Sequence, residues 1–349
     1  MSSTLQALRD RSHKSTELVA AGELVELRFP TGQKTLSARA SKLFHLLVHS
    51  AADRAGRDEM HRVPIAWLRS TGLKNMTVEE FVECVRELAS VTVDVEVRGE
   101  DEADRGVRQP HVKTGAFLSH IERDLDAERG ELLFEFSRTM RFILRRSAYW
   151  AVLDRQATLA FESRYAIRLY ELMSLRAGLT RKLEERFTLP ELRARLGVPD
   201  GKLTRWVHLR QKALEPAVGE VNHISPLHVS WTPVKEGRAV RGVRFEWAMK
   251  STAERARARR ELLNSRAGRR ARRDGTVEIA PVPVSFPAEG PIRYTRWADI
   301  VRDRAPKPTP DVDMVAGQFR RFARERNIPL DARTIESVFG HYCAKVRVR

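Results

Sequence analysis

Between residues 36 and 250 the sequence predicts the same order of elements twice, namely three helices followed by a β-hairpin. This is the order of a winged helix, in which the hairpin beside the third helix is the wing. A repeated unit constrains the fold strongly, because each copy needs its own core for its three helices. We therefore predict an α+β protein with tandem winged-helix domains, each a helix-turn-helix with a β-wing.

The first copy occupies residues 36–136. Apolar residues at helical spacing predict a helix over 37–52, and a short helix follows Pro64. The third helix begins at Thr77, where the stretch Thr77–Glu80 has the pattern of a capping box. Apolar and polar residues then alternate from Val91 to Val97, which predicts a strand. Two further strands are predicted over His111–Ile121 and Glu131–Phe136.

The second copy has clearer signals. A strongly apolar helix is predicted over Phe161–Ala177, and a second capping box occupies Thr188–Glu191. The third helix is predicted over Leu203–Asn222. Two alternating strands, Leu227–Thr232 and Val240–Trp247, then predict a hairpin.

The repeat divides the chain into five segments. The stretch Leu24–Phe29 is predicted as a short strand at the start of the first domain. The segments are a flexible N-terminus over 1–22, winged-helix domain 1 over 23–155, winged-helix domain 2 over 156–250, an Arg-rich and Pro-rich linker over 251–290, and a small helical C-terminal module over 291–349.

The predicted helix over 203–222 is amphipathic. Its polar side is basic, which suits insertion into a DNA major groove. An ordinary surface helix with a solvated charged face is the alternative, and the position as third helix of a winged helix favours the groove. Arg210 departs from the pattern, because helical spacing places it in the apolar arc. Two alternatives would accommodate its charge: its long side chain leans out past the N-terminal half of the helix, or it pairs with an acid of the domain's first helix such as Glu162 or Glu171. That arc contains Leu203, Trp206, Val207, Leu209, Ala213, Leu214, Ala217, Val218 and Val221, and the polar side contains Arg205, His208, Gln211 and Lys212.

The charge of the chain favours an anionic partner. Lys and Arg total 63 against 46 Asp and Glu, a formal net charge of +17. Nucleic acid is therefore the leading partner class, with an anionic membrane surface second. Nine arginines lie between 251 and 274, a segment that would bind phosphate without reading sequence. Arg138, Arg141 and Arg145 share one helix face, which suits either phosphates or surface salt bridges.

Several classes of protein are disfavoured. No apolar run approaches the roughly 18 residues of a membrane span, and the N-terminus lacks the apolar core of a signal peptide. Cys84 and Cys343 are far apart, which disfavours a disulfide framework or zinc site and fits a reducing cytosol. The stretch Gly197–Thr204 fails the spacing of a phosphate-binding P-loop, and no histidine pair at i, i+2 supports a metal-dependent nicking site. We expect no catalytic site, no metal and no cofactor.

Four stretches of the second copy occur at a characteristic mutual spacing, SRYAIRLYELM at 163–173, FTLPELRARLGV at 187–198, ALEPAVGEVN at 213–222 and KEGRAVRGVRFEW at 235–247. They resemble the C-terminal half of the iteron-binding, theta-type plasmid replication initiator family. The preceding part, 36–150, resembles the family only in the order of its elements. The chain beyond 250 lies outside the resemblance.

The resemblance implies a non-enzymatic bacterial cytoplasmic protein that binds repeated double-stranded sites in a plasmid origin and helps to open it. It further implies a homodimer in equilibrium with monomer, recruitment of host initiator and helicase proteins, and repression of its own gene. A tandem winged-helix transcriptional repressor is the alternative, and an origin-nicking enzyme is the least favoured. Several direct repeats of about 20 base pairs beside an AT-rich tract would indicate an initiator, whereas a single palindrome would indicate a repressor.

Transferred onto this sequence, the family's recognition helix falls on 203–222, and its wing on the hairpin that follows. The equivalent helix of the first domain, Thr77–Ala89, carries Glu79, Glu80, Glu83 and Glu87 and is a poor surface for DNA. We therefore expect the first domain to serve dimerisation and to touch only the DNA backbone. The candidate DNA-binding residues are Lys202, Arg205, His208, Arg210, Gln211, Lys212, Lys235, Arg238, Arg241, Arg138, Arg141 and Arg145.

Overall fold

The structure is a computed structural model that describes residues 3–12, 16–29, 34–73, 76–97, 111–124, 130–178, 183–263, 286–293, 295–326, 328–330, 332 and 335–346. The chain divides into two units, 1–277 and 278–349. The larger unit contains two winged helices, which confirms the predicted fold class.

The N-terminal residues begin with a helix and a strand. Helix α1 spans Thr4–Arg11, strand β1 spans Glu17–Ala21 and the short helix α2 spans Gly22–Val25. The prediction of a flexible N-terminus over 1–22 is therefore wrong for its described residues. The predicted strand Leu24–Phe29 is also wrong, since only Arg28 there forms a β-bridge, to Asp94. Strand β1 is buried on both faces, so it lacks the alternation that marks a half-buried strand.

The first winged helix has the predicted three helices, but its strands form two separate sheets where the sequence predicted one small sheet. The predicted single strand His111–Ile121 is interrupted at the buried Phe117, so that β4 pairs with β3 while β5 pairs with β6. A three-stranded sheet has the order β2-β6-β5. The elements are α3 Ala38–Ala51, β2 His61–Pro64, α4 Ile65–Thr71, α5 Val78–Ser90, β3 Thr92–Val97, β4 His111–Ala116, β5 Leu118–Arg123, β6 Glu131–Phe136 and α6 Arg138–Arg146.

The second winged helix contains two strands that sequence patterning missed, β7 and β8. Strand β8 begins with the charged residues Glu184, Glu185 and Arg186, which hide its alternation. It pairs with the wing in a sheet of order β8-β10-β9. The elements are β7 Trp150–Asp154, α7 Arg155–Ala160, α8 Arg164–Ala177, β8 Glu184–Thr188, α9 Leu189–Arg195, α10 Trp206–Leu209, a π-helical turn Arg210–Leu214, α11 Glu215–Ile224, β9 Leu227–Glu236 and β10 Ala239–Met249.

Strand β1 belongs to the cores of both winged helices. Val19 and Ala21 pack in the first core, while Leu18 and Ala20 pack in the second. The strand pairs antiparallel with β7, which leads into the second winged helix. Because successive side chains of a strand point to opposite faces, four consecutive residues contribute to two cores at once.

Buried polar groups also join the two winged helices. Arg168 of α8 donates hydrogen bonds to the carbonyl oxygens of Leu24 and Val25 at 3.2 and 2.8 Å. Arg176 pairs with the Glu26 carboxylate at 2.5 Å, and Arg195 donates to the Glu26 carbonyl oxygen. Arg168 and Arg195 satisfy carbonyl groups that the four-residue helix α2 leaves without helical partners. The second winged helix therefore holds the N-terminal segment of the first.

The predicted linker over 251–290 begins as a helix instead. Helix α12, Thr252–Leu263, buries Ala258 and packs Leu262 against the second core. Arg255, Arg257, Arg259 and Arg260 of this helix are exposed. The remaining arginines of the predicted phosphate-binding segment, and the linker up to residue 285, lie outside the described residues.

The smaller unit is a helical module, as predicted from sequence. Its helices are α13 Arg296–Arg304, α14 Val312–Glu325 and α15 Ile335–Cys343. Aromatic rings of Phe286, Trp297, Phe319 and Phe339 form its core, with centroid distances of 4.7–5.6 Å. Because Phe286 is part of that core, the module begins before the predicted boundary at 291.

Candidate nucleic-acid interface

The turn before the third helix of the second winged helix is held by Arg193. This residue lies in the last turn of α9, whose start is fixed by the predicted capping box of Thr188 and Glu191. Its guanidinium donates to the carbonyl oxygens of Leu203 and Lys202, both at 2.5 Å. One charged side chain thereby fixes the point at which the next helix begins. Sequence analysis missed Arg193, because a basic residue in a last helical turn has several ordinary roles.

The third helix begins at Trp206, three residues later than predicted. Leu203 has a φ of 49° and Arg205 is extended, so neither belongs to the first helical turn. Lys202 is exposed in the turn, and Arg205 is exposed at the N-cap. Both cations therefore lie at the end of the helix that enters a groove first in helix-turn-helix proteins.

A π-helical turn interrupts this helix at Arg210–Leu214. Pro216 follows it and has no N–H to donate, and its ring would collide with the Lys212 carbonyl in a regular α-helix. The wider turn relieves that collision. It also places Arg210 beside Glu215, five residues on, with the Arg210 Nε and Glu215 Oε1 atoms 3.3 Å apart.

The pairing with Glu215 corrects two expectations for Arg210. Helical spacing placed it in the apolar arc, but its side chain is 38% exposed. The alternative that it pairs with Glu162 or Glu171 is also wrong, because its carboxylate partner is Glu215. The Glu171 carboxylate is instead occupied by His45 and Arg168.

The outward face of the helix carries most of the predicted groove-facing residues. Gln211 and Lys212 are exposed, and His208 is half-buried. Val207 is 42% exposed, so its assignment to the apolar arc is wrong. Trp206 packs edge-on against Trp231 of β9, with ring centroids 5.9 Å apart, and so ties the start of the helix to the wing.

The other end of the helix is fixed by the residues of the motif ALEPAVGEVN. The buried Glu220 accepts hydrogen bonds from the backbone N–H groups of Glu162 and Ser163, both at 3.2 Å. The Asn222 side chain donates to the Val229 carbonyl at 2.8 Å and accepts from the Val229 N–H at 2.7 Å. These motif residues hold the helix against α8 and the wing.

Lys250 closes the same end. Its ammonium group donates to the Asn222 and Ser225 carbonyl oxygens, which lie at the C-terminal end of α11. A cation is favourable there, because the last carbonyls of a helix carry partial negative charge. Burial lowers the pKa of Lys250 from its ordinary 10.5.

The wing presents the predicted cations at its tip. Lys235 and Arg238 are exposed beside Gly237, whose φ of 58° closes the hairpin turn. Arg241 pairs with Glu236, but their side chains are 69% and 79% exposed, so water screens the pair and it adds little stability. At Gly242 the wing lies so close to β8 that a Cβ atom would be 2.5 Å from the Phe187 carbonyl oxygen.

In the first winged helix the acidic helix α5 supports the fold. Glu80 completes the capping box with Thr77 and pairs with Arg39. Glu87 accepts a hydrogen bond of 2.9 Å from the Ser37 N–H at the start of α3. Two of the acids expected to disfavour DNA therefore fix the packing of α5 against α3.

The predicted arginine face of α6 is divided. Arg138 and Arg145 are exposed, but the Arg141 side chain is only 13% exposed. It pairs with Glu135 and with Asp58, the latter at 2.9 Å. This is the salt-bridge alternative that sequence analysis left open for Arg141, and its charge is largely balanced within the chain.

Other kinds of site find no support in the part of the chain that the structure describes. No group of three or more His, Cys, Asp or Glu side chains in the described ranges is placed to hold a metal ion. In the same ranges, no helix has both the length and the apolar character needed to cross a membrane.

Comparisons with known proteins identify both winged helices. Residues 18–174 match the family model described as "Initiator Replication protein, WH1", and 188–247 match "Initiator Rep protein, WH2". A solved structure, "Crystal structure of Pi initiator protein in complex with iteron DNA", is similar with a TM-score of 0.50 and 18% identity. The match covers 68% of this chain and 99% of that chain. No curated protein matches by sequence.

Proposed function

Because this chain belongs to the initiator replication protein family, with matches to both of its winged-helix domains, we propose that it binds repeated double-stranded sites in a plasmid origin. The similar Pi initiator is bound to iteron DNA in its crystal structure. The observation that carries the proposal is the exposed face of α10 and the π turn, held in place by Arg193 and supported by the wing.

The chemistry of that face suits base reading in the major groove. Arg205 offers the two parallel donors that match guanine O6 and N7, and the Gln211 amide matches adenine N6 and N7. His208 lies between them and Lys212 beside them, all from the first turns of the helix. Each well-formed bidentate contact contributes about 1–3 kcal/mol of discrimination.

The wing and the turn supply phosphate contacts. Lys235, Arg238 and Arg241 are exposed cations of the hairpin, and Lys202 is exposed in the turn. Contacts of this kind fix the register of the protein on the duplex without reading sequence. Arg210, whose charge is paired with Glu215, has a supporting role at the edge of this surface.

The first winged helix contributes dimerisation and contacts to the DNA backbone in this proposal. Arg138 and Arg145 are its exposed candidates, and Arg141 is left out because of its ion pairs with Asp58 and Glu135. The protein would exchange between monomer and homodimer, recruit host initiator and helicase proteins, and repress its own gene. It would act without a catalytic site, in the cytoplasm of a bacterial host.

Footprinting on the DNA around its own gene tests the function. We expect protection of several direct repeats, about two helical turns apart, beside an AT-rich tract. Permanganate reactivity of thymines in that tract should rise when the protein is added to supercoiled DNA, which would report strand opening. A single protected palindrome with no change in reactivity would point to a repressor and contradict the proposal.

A second readout addresses catalysis. Supercoiled origin DNA is incubated with the protein and a divalent metal, then denatured and examined for protein bound to a 5′ end. We expect no covalent product. A covalent 5′ adduct would identify a nicking enzyme and overturn the non-catalytic part of the proposal.

A further inference from the structure

Val207 is an apolar side chain on the outward face of the proposed recognition helix. It lies in the first turn of α10, two residues after the N-cap Arg205 and four before Gln211, and it is 42% exposed. The nearby apolar residues of the helix point inward instead, since Trp206 packs on Trp231 and Leu209 is fully buried. The core of the second winged helix therefore does not need Val207.

Folding alone gives little reason for valine at this position. A β-branched residue is a weaker helix former than Ala, Lys or Gln, and its apolar surface stays in water. A single exposed apolar residue is common on protein surfaces. Val207 differs in its surroundings, because the exposed Arg205 precedes it by two positions and the exposed Gln211 follows it by four, which is about one helical turn.

We propose that Val207 contacts the C5-methyl group of a thymine in the major groove, and so specifies a T·A pair within the repeat. Thymine alone among the four bases presents a methyl group in that groove, and small apolar side chains are its usual partners. This inference rests on the proposed function, since it names one base contact of the proposed recognition helix.

The contact would complement the polar ones. Arg205 and Gln211 suit purines through hydrogen bonds, while cytosine and thymine differ at C5 by one methyl group. Removing that methyl group from water against Val207 should strengthen binding by about three- to fivefold, the value of one buried methylene-sized group. Hydrogen bonds to the neighbouring bases would be unchanged.

Replacement of thymine by deoxyuridine tests the contact, because it removes only the C5-methyl group. The probes are duplexes of one footprinted repeat, each with one thymine replaced. For the unchanged protein we expect one position at which the replacement weakens binding about three- to fivefold. Val207→Ser should weaken binding to the thymine duplex by a similar factor and remove the effect of deoxyuridine at that position. Val207→Ile, which keeps a branched apolar side chain, should retain the effect.

The matched control is Val152→Ser, since Val152 is 40% exposed on β7 and lies in another part of the unit. It should bind the repeat as the unchanged protein does and keep the deoxyuridine effect. The inference is overturned if no thymine replacement weakens binding, or if the Val207→Ser variant is still sensitive to replacement at the same thymine. It is also overturned if Val207→Ser weakens binding to random DNA as much as binding to the repeat. Absence of any footprint on repeated DNA would instead contradict the proposed function itself, so the two failures are distinguishable.

Discussion

His45 and Glu171 form a hydrogen bond of 2.6 Å between the two winged helices, and both side chains are buried, at 6% and 5% exposure. The other oxygen of Glu171 accepts from Arg168 Nη1 at 2.6 Å. Arg168 in turn donates to the carbonyls beside α2. A single carboxylate therefore links helix α3, helix α8 and the N-terminal segment.

Glu171→Gln should destabilise the larger unit. The amide keeps the shape of the side chain but leaves the buried Arg168 without a counter-charge, and breaking a buried pair in this way costs about 3 kcal/mol or more. Urea unfolding followed by circular dichroism measures the change. Arg62→Ala is the control, because its pair with Glu131 is exposed and should contribute less than about 1 kcal/mol. Equal effects of the two substitutions would show that the Glu171 linkage adds no stability.

The same carboxylate should make stability depend on acid pH. Burial alone raises the pKa of Glu171, but Arg168 and His45 outweigh it and hold the pKa below its ordinary 4.5. A group with a lowered folded-state pKa stabilises the fold above its unfolded-state pKa, and this contribution is lost as pH falls through the folded-state value. The difference in unfolding free energy between the unchanged protein and Glu171→Gln should therefore be constant near neutral pH and shrink below about pH 4.5. A difference that stays constant down to about pH 3 would contradict this.

Arg193→Ala should weaken binding to the repeat although Arg193 need not touch DNA. The two charge-assisted hydrogen bonds that fix the turn at Lys202 and Leu203 would be removed, at about 1.5 kcal/mol or more, or roughly a tenfold loss of specific affinity. Arg186→Ala, which removes a charge from the neighbouring strand β8, is the matched control for charge alone. Fluorescence anisotropy with a labelled repeat measures both. Equal losses of affinity in the two variants would mean that the loss comes from removing positive charge, and that Arg193 does not act by holding the turn.

Arg205→Ala should lower specific binding far more than non-specific binding. Loss of a bidentate contact to guanine costs about 1–3 kcal/mol and relaxes the preference at one base pair. Competition between the repeat and random duplexes separates the two effects. Equal losses on both kinds of DNA would remove Arg205 from the base-reading set.

The exposed arginines of α12 should instead control salt dependence. Changing Arg255, Arg257, Arg259 and Arg260 to Gln removes charge while keeping the helix that packs on the second core. The slope of log affinity against log salt should fall by about 0.9 for each DNA phosphate that the variant no longer neutralises, for specific and random DNA alike. The same four positions changed to Lys should keep the slope. An unchanged slope in the Gln variant would show that α12 does not face DNA.

Local signals predicted the elements whose determinants are local. Both capping boxes, at Thr77 and Thr188, occur as expected, because the bonds of a capping box join residues three positions apart. The motif residues Glu220 and Asn222 were recognised from the family likeness, but their roles as partners of α8 and β9 depend on the folded structure.

The expectations that failed depend on neighbours distant in the sequence or on irregular backbone. Strand β1 is ordered because its side chains pack into two cores. Most of the other residues of those cores come much later in the sequence, so local patterning did not reveal the strand. The assignment of Val207 to the core assumed a regular helix from Leu203, whereas the helix begins at Trp206 and widens at Arg210. The pairing of Arg141 requires Asp58, which precedes it by most of a domain.

The shared strand β1 limits how this chain can be divided. A chain shortened to begin at residue 23 would retain the three helices and the wing of each winged helix, yet it would lose Leu18, Val19, Ala20 and Ala21 and leave each core open along one side. We therefore expect neither winged helix to fold independently of the other. The two should unfold together in one cooperative transition. A substitution that destabilises strand β1 should therefore also lower the unfolding free energy of the winged helix that contains the DNA-reading helix.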